Sequence, residues 1–301
     1  MDLPGAKTND WDVLVAGAGP AGLAAALAAA RAGARTLLVE KKPRPGRKLL
    51  VSGSGRCNLS HGGLLADFLD HYGQAGRFLK PALHGFTNAQ ARSFFEDRGV
   101  PILEEEGGKL FPVSGRAGDL LAVLLAEVQG AGVELRLSTA LVSLEALAPD
   151  AGGPGFAARL AITPPPGNAA TTLDLTVGRA VLALGGASYP TTGSDGTGYA
   201  IPKALGHRIV PVAPALTPLI VKDFPVASLA GRSLQDRALR VWRSGATVAK
   251  GRGDILFTHK GLSGPGILDL SRSILPGDEL GIELVGASQE EIGRASCRER
   301  V

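Results

Sequence analysis

Cysteine is nearly absent from this chain: two residues in 301, Cys57 and Cys297. Two cysteines cannot make a disulfide framework, and neither CxxC nor any other metal-ligand spacing occurs. The composition therefore predicts a protein of the reducing cytoplasm with no metal site. The five histidines, His61, His71, His84, His207 and His259, are scattered. Aromatic residues are few, at 5%. No apolar run reaches about 18 residues, so no membrane-spanning helix is expected. The opening residues are polar and lack the apolar stretch of a signal peptide. No long Lys/Arg block occurs and the net charge is +4, so the sequence gives no reason to expect a nucleic-acid partner. A GxSxG nucleophile turn is missing too, since Ser263 is followed by Gly264-Pro265-Gly266. What is abundant is glycine, 42 residues, within a chain that is 45% hydrophobic and 20% charged. That balance describes an α/β enzyme with many tight turns, long enough for two domains.

The chain is organised around residues 12–40, DVLVAGAGPAGLAAALAAARAGARTLLVE. A short Val/Leu run reads as a strand, an Ala-rich stretch as a helix ended by Gly33, and residues 36–39 as a second strand. Between the first strand and the helix stands Gly17-Ala18-Gly19-Pro20-Ala21-Gly22. Gly17 permits the tight turn, Gly19 lets a pyrophosphate reach the backbone, and Gly22 lets the helix pack on the sheet. The helix N-terminus offers free N–H groups and partial positive charge to phosphates. Glu40, at the tip of the second strand, can accept hydrogen bonds from a ribose diol. An acid there, where a 2′-phosphate would want a base, favours FAD or NAD over NADP.

Next comes a basic turn that includes Lys41 and Lys48. It leads into Ser52-Gly53-Ser54-Gly55-Arg56-Cys57-Asn58, where small residues expose backbone N–H groups and Arg56 and Asn58 can meet a phosphate or a polar ring edge. Thr87 and Gln90 form a capping-box pattern for a helix that stops at Gly99. Residues 117–130 read as an amphipathic helix, and residues 133–137 and 140–144 as strands. Residues 156–162 and 173–177 read as a hairpin around a Pro-rich loop. Residues 179–184 read as a separate buried strand running into Gly185-Gly186. The long loop of small residues after it lies where open α/β sheets bind ligands. From His207 onward, short β-like runs alternate with prolines, at 216–221, 234–242, 247–250, 255–258 and 280–285, which sets a domain boundary near Ala200. The last stretch, EIGRASCRERV at 291–301, resembles a translated sequencing adapter. It is expected to be a non-native tail on a chain whose C-terminal part is missing, and Cys297 would then carry no meaning.

The motifs GAGPAGLAAALAA, PGRKLLVSGSGRCN, LFPVSGRAGDLL, VLALGGASYPTTGSDGTGY and DILFTHKGLSGPGILDLS resemble, in that order, the bacterial FAD-dependent oxidoreductases of the BaiN/YhiN type. That family includes proteins described as aminoacetone oxidases and as bile-acid-intermediate reductases. The resemblance covers nearly all of residues 11–290. It implies a Rossmann-like, mostly parallel FAD-binding domain in residues 1–199 and an inserted, mostly β substrate domain in 200–290. By the same resemblance Gly17, Gly19, Pro20, Ala21, Gly22, Glu40 and Lys41 hold the pyrophosphate and adenosine ribose. Lys48, Ser52, Gly53, Gly55, Arg56, Cys57 and Asn58 lie beside pyrophosphate and flavin, residues 133–144 border the adenine, and Gly185 and Gly186 close on the cofactor. Members of that family continue beyond the length of this chain and return to the FAD domain.

Flavin chemistry needs the protein for position, water exclusion and electrostatics. Three residues are candidates to act on substrate or flavin. His259 can give a proton, Cys57 can touch the flavin ring, and Tyr189 can supply an acid; each also has an ordinary structural reading as a packed loop or core residue. The expected function is hydride transfer between FAD and a small organic substrate, with NAD(P)H as a candidate donor for reducing an activated C=C. The alternatives are an amine oxidase that makes hydrogen peroxide, and a flavin-binding protein without turnover.

Overall fold

The computed structural model describes residues 10–148, 155–163, 171–283 and 292–300, the last for their backbone alone. The polar leader, the centre of the Pro-rich loop expected after residue 163, and the end of the strand expected at 280–285 lie outside the described residues. The chain divides into two units, residues 1–209 and 210–301, ten residues past the expected boundary.

The first unit is built on β1 (Trp11–Ala16), α1 (Pro20–Arg31) and β2 (Thr36–Val39), the βαβ unit the sequence pattern predicts. Then follow α2 (Arg47–Val51), β3 (Ser60–His61), α3 (Leu65–His71), α4 (Gly76–Gly85), α5 (Asn88–Glu96), β4 (Ile102–Glu104) and β5 (Lys109–Pro112). The unit continues through α6 (Ala117–Gly130), β6 (Glu134–Arg136), β7 (Thr139–Ala146), β8 (Phe156–Ile162), β9 (Thr171–Leu182) and α7 (Ala200–Ala204). One six-stranded sheet has the order β6-β2-β1-β9-β8-β7. Its β6-β2-β1-β9 pairs are parallel, while β9-β8-β7 form an antiparallel meander. A small sheet, β3-β5-β4, stands apart from it.

Strand β2 is buried at every position. The reason is that both sheet faces are covered, as continuous apolar runs require. Val13 and Val15 pack with Leu23, Leu27, Leu120 and Leu124 of α1 and α6. On the opposite face Leu14, Ala16, Leu37 and Val39 pack against Leu141, Leu144, Leu160 and Leu175 of the meander, with Ile201 of α7. That packing is why α7 belongs to the first unit.

The expected break between residues 177 and 179 does not exist: both runs belong to β9. Its first half pairs antiparallel with β8, from Ile162 opposite Thr171 to Phe156 opposite Val177. Its second half pairs parallel with β1, from Trp11 opposite Val177 to Ala16 opposite Leu182. Gly178 looks like an interruption in the sequence, but it sits where the strand exchanges one partner for the other. The capping box of α5 forms as its spacing predicts. Thr87 Oγ1 accepts from the Gln90 N–H at 3.2 Å, and the Gln90 side chain accepts from the Thr87 N–H at 2.8 Å.

The second unit holds β10 (Leu219–Val221), β11 (Ser233–Arg243), β12 (Ala246–Phe257), β13 (Gly261–Ser263), α8 (Pro265–Ser271), β14 (Glu279–Glu283) and β15 (Ile292–Arg300). Six strands close a barrel in the order β10-β13-β12-β11-β14-β15. The stretch expected as a foreign tail thus supplies β15, paired with β14 and β10. The interior is packed by Val241, Ile255, Leu262, Leu280 and, from α8, Ile267 and Leu270. It is a core, not a tunnel. Strand β12 unites two runs that read as separate across Gly251 and Gly253. A side chain at Gly253 would stand 2.9 Å from the Gly266 backbone, and one at Gly251 would stand 2.9 Å from Leu270. These glycines let α8 lie against the strand. Asp278 is buried, holds Arg243 through two oxygens at 2.9 and 2.8 Å, and accepts from the Leu275 N–H at 2.7 Å.

Candidate functional site: a dinucleotide cleft

Strand β1 delivers the chain into Gly17, whose φ of +103° suits glycine. A Cβ on Gly17 would lie 2.3 Å from the Ala183 carbonyl oxygen, and one on Gly22 would lie 1.7 Å from the Gly17 carbonyl oxygen. These two positions are closed by backbone. Gly19 is different: nothing stands within 4 Å of where its Cβ would be. No side chain caps α1, so the N-terminal end of the helix faces that open space with donors to spare. The backbone thus leaves no room for a side chain at Gly17 or Gly22 and leaves open space at Gly19.

Glu40 is held from both sides. Its Oε2 accepts from the Ala18 N–H at 2.9 Å and its Oε1 from the Lys42 N–H at 2.9 Å. Each oxygen keeps a further lone pair for a hydroxyl. The Thr139 N–H donates to the Glu40 carbonyl at 2.8 Å, which brings the start of β7 alongside. Around these groups lies a cleft of about 560 Å³. Of the residues expected to bind a cofactor, Gly17, Gly19, Pro20, Ala21, Glu40, Lys41, Lys48 and Gly185 line it. Residues 139–142, within the stretch expected near an adenine, line it as well. Arg44, Arg47 and the residues Thr192, Gly193, Ser194 and Thr197 also line it and were not singled out. The signal for the last four was the loop of small residues at the C-terminal end of a parallel strand, and for the two arginines the basic turn that holds Lys41 and Lys48; each marks the place but not the side chains.

Lys48 and Pro20 are shared with a second, apolar cavity of about 720 Å³. Its walls come from α1, α5 and α6, including Leu27, Phe94, Phe95 and Leu124. Ser52, Cys57 and Asn58 line it with Lys48. Cys57 is buried, and burial pushes its thiol above the usual range against a smaller opposing effect of the Ser52 hydroxyl. A thiol so placed stays protonated and behaves as a small apolar group.

Several expected residues point elsewhere. Arg56 pairs with Glu105 at 2.7 Å and stacks over the Phe111 ring at 4.0 Å, outside both cavities. Gly53 packs against the Asn58 backbone and Phe111, and Gly55 lines neither cavity. The pattern of small residues around an arginine looks like a phosphate loop in one dimension; Glu105, far along the chain, claims the arginine. Gly186 is outside the lining, and its carbonyl accepts from the Gly196 N–H at 3.1 Å. Tyr189 is 56% exposed and lines neither cavity. His259 lies exposed in the turn between β12 and β13 of the second unit. Among the described residues no group of three or more His, Cys, Asp or Glu is placed to hold a metal ion. No helix among them is long and apolar enough to cross a membrane.

A parallel sheet with a glycine turn, an uncapped helix and a strand-end acid around one cleft defines a Rossmann-type class of protein. The sequence matches the HI0933-like protein Rossmann domain over residues 11–268, and the chain belongs to that family. It is 32% identical over 87% of its length to the 3-dehydro-bile acid delta(4,6)-reductase of Clostridium scindens, covering 60% of that protein. It is 32% identical over 91% of its length to the ribosomal RNA dihydrouridine synthase of Escherichia coli, covering 64% of that one. The chain thus spans less than two thirds of either relative. A stretch covering 16% of the chain is 56% identical to sarcosine oxidase subunit alpha of Rhizobium meliloti, of which it covers 5%.

Proposed function

We propose that this protein is an FAD-dependent reductase of an activated carbon–carbon double bond, of the BaiN/YhiN type, with a reduced nicotinamide as electron donor. One observation carries the reading: the relatives from Clostridium scindens and Escherichia coli, which match over most of the chain, bear names of C=C reductions. One is a Δ4,6-reductase, and the product in the other name, dihydrouridine, is uridine with a ring double bond saturated. The match to an amine oxidase subunit covers only 50 residues and gives the oxidase alternative no comparable support.

The residues of the cleft fit the cofactor. Gly19 leaves the space a pyrophosphate needs, Glu40 offers two oriented carboxylate oxygens to a ribose, and Lys48 donates to the neutral Ser188 hydroxyl at 2.9 Å. FAD, when bound, supplies the two-electron exchange. The chain's own part is to fix the dinucleotide by its ribose and phosphates, to keep Cys57 neutral beside the apolar cavity, and to deliver a proton to the substrate carbon next to the one that receives hydride.

The test is anaerobic spectroscopy on flavin-loaded protein. NADH or NADPH should bleach the oxidised flavin band, and an enone or a uridine-containing RNA should restore it without peroxide. Bleaching by an amine, with peroxide formed in proportion once air is admitted, would replace this reading with the oxidase. A flavin that neither nicotinamide reduces would overturn it.

A further inference from the structure

The segment between β9 and α7, residues 187–198, is more ordered than its composition suggests. Tyr189 and Ser194 exchange backbone hydrogen bonds, each 3.3 Å long, around a single helical turn at Pro190–Thr192. The Thr192 hydroxyl donates to the Tyr189 carbonyl at 2.8 Å. Both ends bend at glycines in the left-handed region, Gly185 with φ +76° and Gly196 with φ +81°. The segment is therefore a small preformed body carried between two glycine bends.

It is tied to the far wall of the cleft at two points. Lys41 Nζ, one residue past Glu40, meets Asp195 Oδ2 at 2.9 Å, and Lys48 Nζ, in α2, donates to Ser188 Oγ at 2.9 Å. Gly193 lies beside the methylene carbons of Lys41 and Lys42, where a Cβ would come within 3.3 and 3.4 Å. Gly193, Lys41 and Lys48 all line the cleft. Asp195 is fixed on its own side as well, accepting from Thr197 Oγ1 at 2.6 Å and from the Thr197 N–H at 3.2 Å. The Thr197 hydroxyl, and after it Lys41, hold its carboxyl well below the usual carboxylate range, so the ion pair persists through all ordinary buffers.

We infer that residues 187–198 form a strap across the mouth of the dinucleotide cleft and that the Lys41–Asp195 ion pair is its latch, which sets how long the dinucleotide stays bound. Asp195 is a positioning residue that acts through the strap. The inference rests on the cleft being a dinucleotide site, and it changes the role of Lys41. With its charge spent on Asp195, Lys41 holds the strap, whereas Lys48, whose partner is a neutral hydroxyl, keeps its charge for a phosphate. The pair is about one-third exposed on both sides, so its effect is modest and sensitive to salt.

Asp195→Asn separates this inference from simple electrostatics. A carboxylate close to an anionic ligand repels it, so its removal alone slows release. If Asp195 latches the strap, its removal speeds release. The experiment follows release of FAD from the loaded full chain by the rise in free-flavin fluorescence after dilution. It compares the wild type, Asp195→Asn, Lys41→Gln and the exchanged pair Lys41→Asp with Asp195→Lys, at low and high salt, with circular dichroism to confirm folding. Each single variant should release FAD about threefold to fivefold faster, a loss in keeping with a partly exposed pair. Salt should speed release from the wild type far more than from Asp195→Asn, and the exchanged pair should return most of the retention. A rate for folded Asp195→Asn equal to or below that of the wild type overturns the latch while leaving the cleft intact. If Asp195→Asn does not fold, Lys41→Gln and the exchanged pair decide: wild-type release from Lys41→Gln, or no recovery in the exchanged pair, overturns it. A folded wild type that never retains FAD overturns the reading of the cleft, and the latch with it.

Discussion

Gly19 and Gly22 belong to one six-residue motif and do opposite things. A methyl group at Gly22 would collide with the Gly17 carbonyl and meet the Ala183 Cβ, neither of which is the end of a flexible side chain. Gly22→Ala should therefore destabilise the fold by about 2 kcal/mol or more, read as a lower urea midpoint. A methyl at Gly19 meets open space, and the backbone there is extended with φ −80°. Gly19→Ala should leave the urea midpoint within about 0.5 kcal/mol of wild type. The same change should weaken FAD binding roughly tenfold, because the methyl occupies the ligand's approach. Equilibrium titration with FAD, run beside the unfolding curves, separates the two effects. Equal behaviour of the two variants would refute the division of labour.

Among the elements, α5 is the one whose start is written most fully in the chain. Thr87 and Gln90 satisfy each other's backbone donors, and Phe95 on the same helix is buried in the first unit's core. Thr87→Ala should cost about 1 kcal/mol, measured by urea unfolding, with the cleft's affinity for FAD unchanged. Strands β9 and β12 show the opposite case. Their central glycines read as breaks because local pattern treats glycine as punctuation. At Gly178 the strand changes its pairing partner, and at Gly251 and Gly253 a helix packs against it. Both reasons are contacts with distant chain segments, which no local window contains.

The pH response belongs to the molecule as a whole. Among the described residues, donors hold the charged form and keep the carboxyl below its ordinary value at Asp119 beside Ser114 and Arg116, at Glu127 beside Arg98, at Asp174 beside Arg159, and at Asp195 beside Thr197 and Lys41. The unfolded chain takes up protons near 3.8 for Asp and 4.5 for Glu, before the folded chain does. Their stabilisation is therefore present above that range and lost as the pH falls through and below it. Cys57 works at the other end. Its folded value lies above the ordinary 9.0, so the unfolded chain loses that proton first, and the contribution present below about pH 9 is lost as the pH rises. Urea midpoints measured across pH should show a plateau from about pH 5 to pH 8, with a fall on the acid side steeper than on the alkaline side. A midpoint that rises as the pH drops from 5 to 3 would contradict these assignments.

The sequence by itself determined the βαβ unit, its glycine turn, the position of an acid at the end of the second strand and the capped start of α5. All of these are local: turn stereochemistry, hydrophobic period and helix capping act over a few neighbouring residues, and a pattern can record them. Only the tertiary structure decided where the charges went. Arg56 lies in a loop that reads as phosphate-binding, yet Glu105 and Phe111 hold it away from both cavities. Lys41 stands next to Glu40 in the sequence, yet it reaches Asp195 across 154 positions of chain. A side chain's charge finds its partner through space, and the fold alone sets which distant residue stands within 3 Å of it.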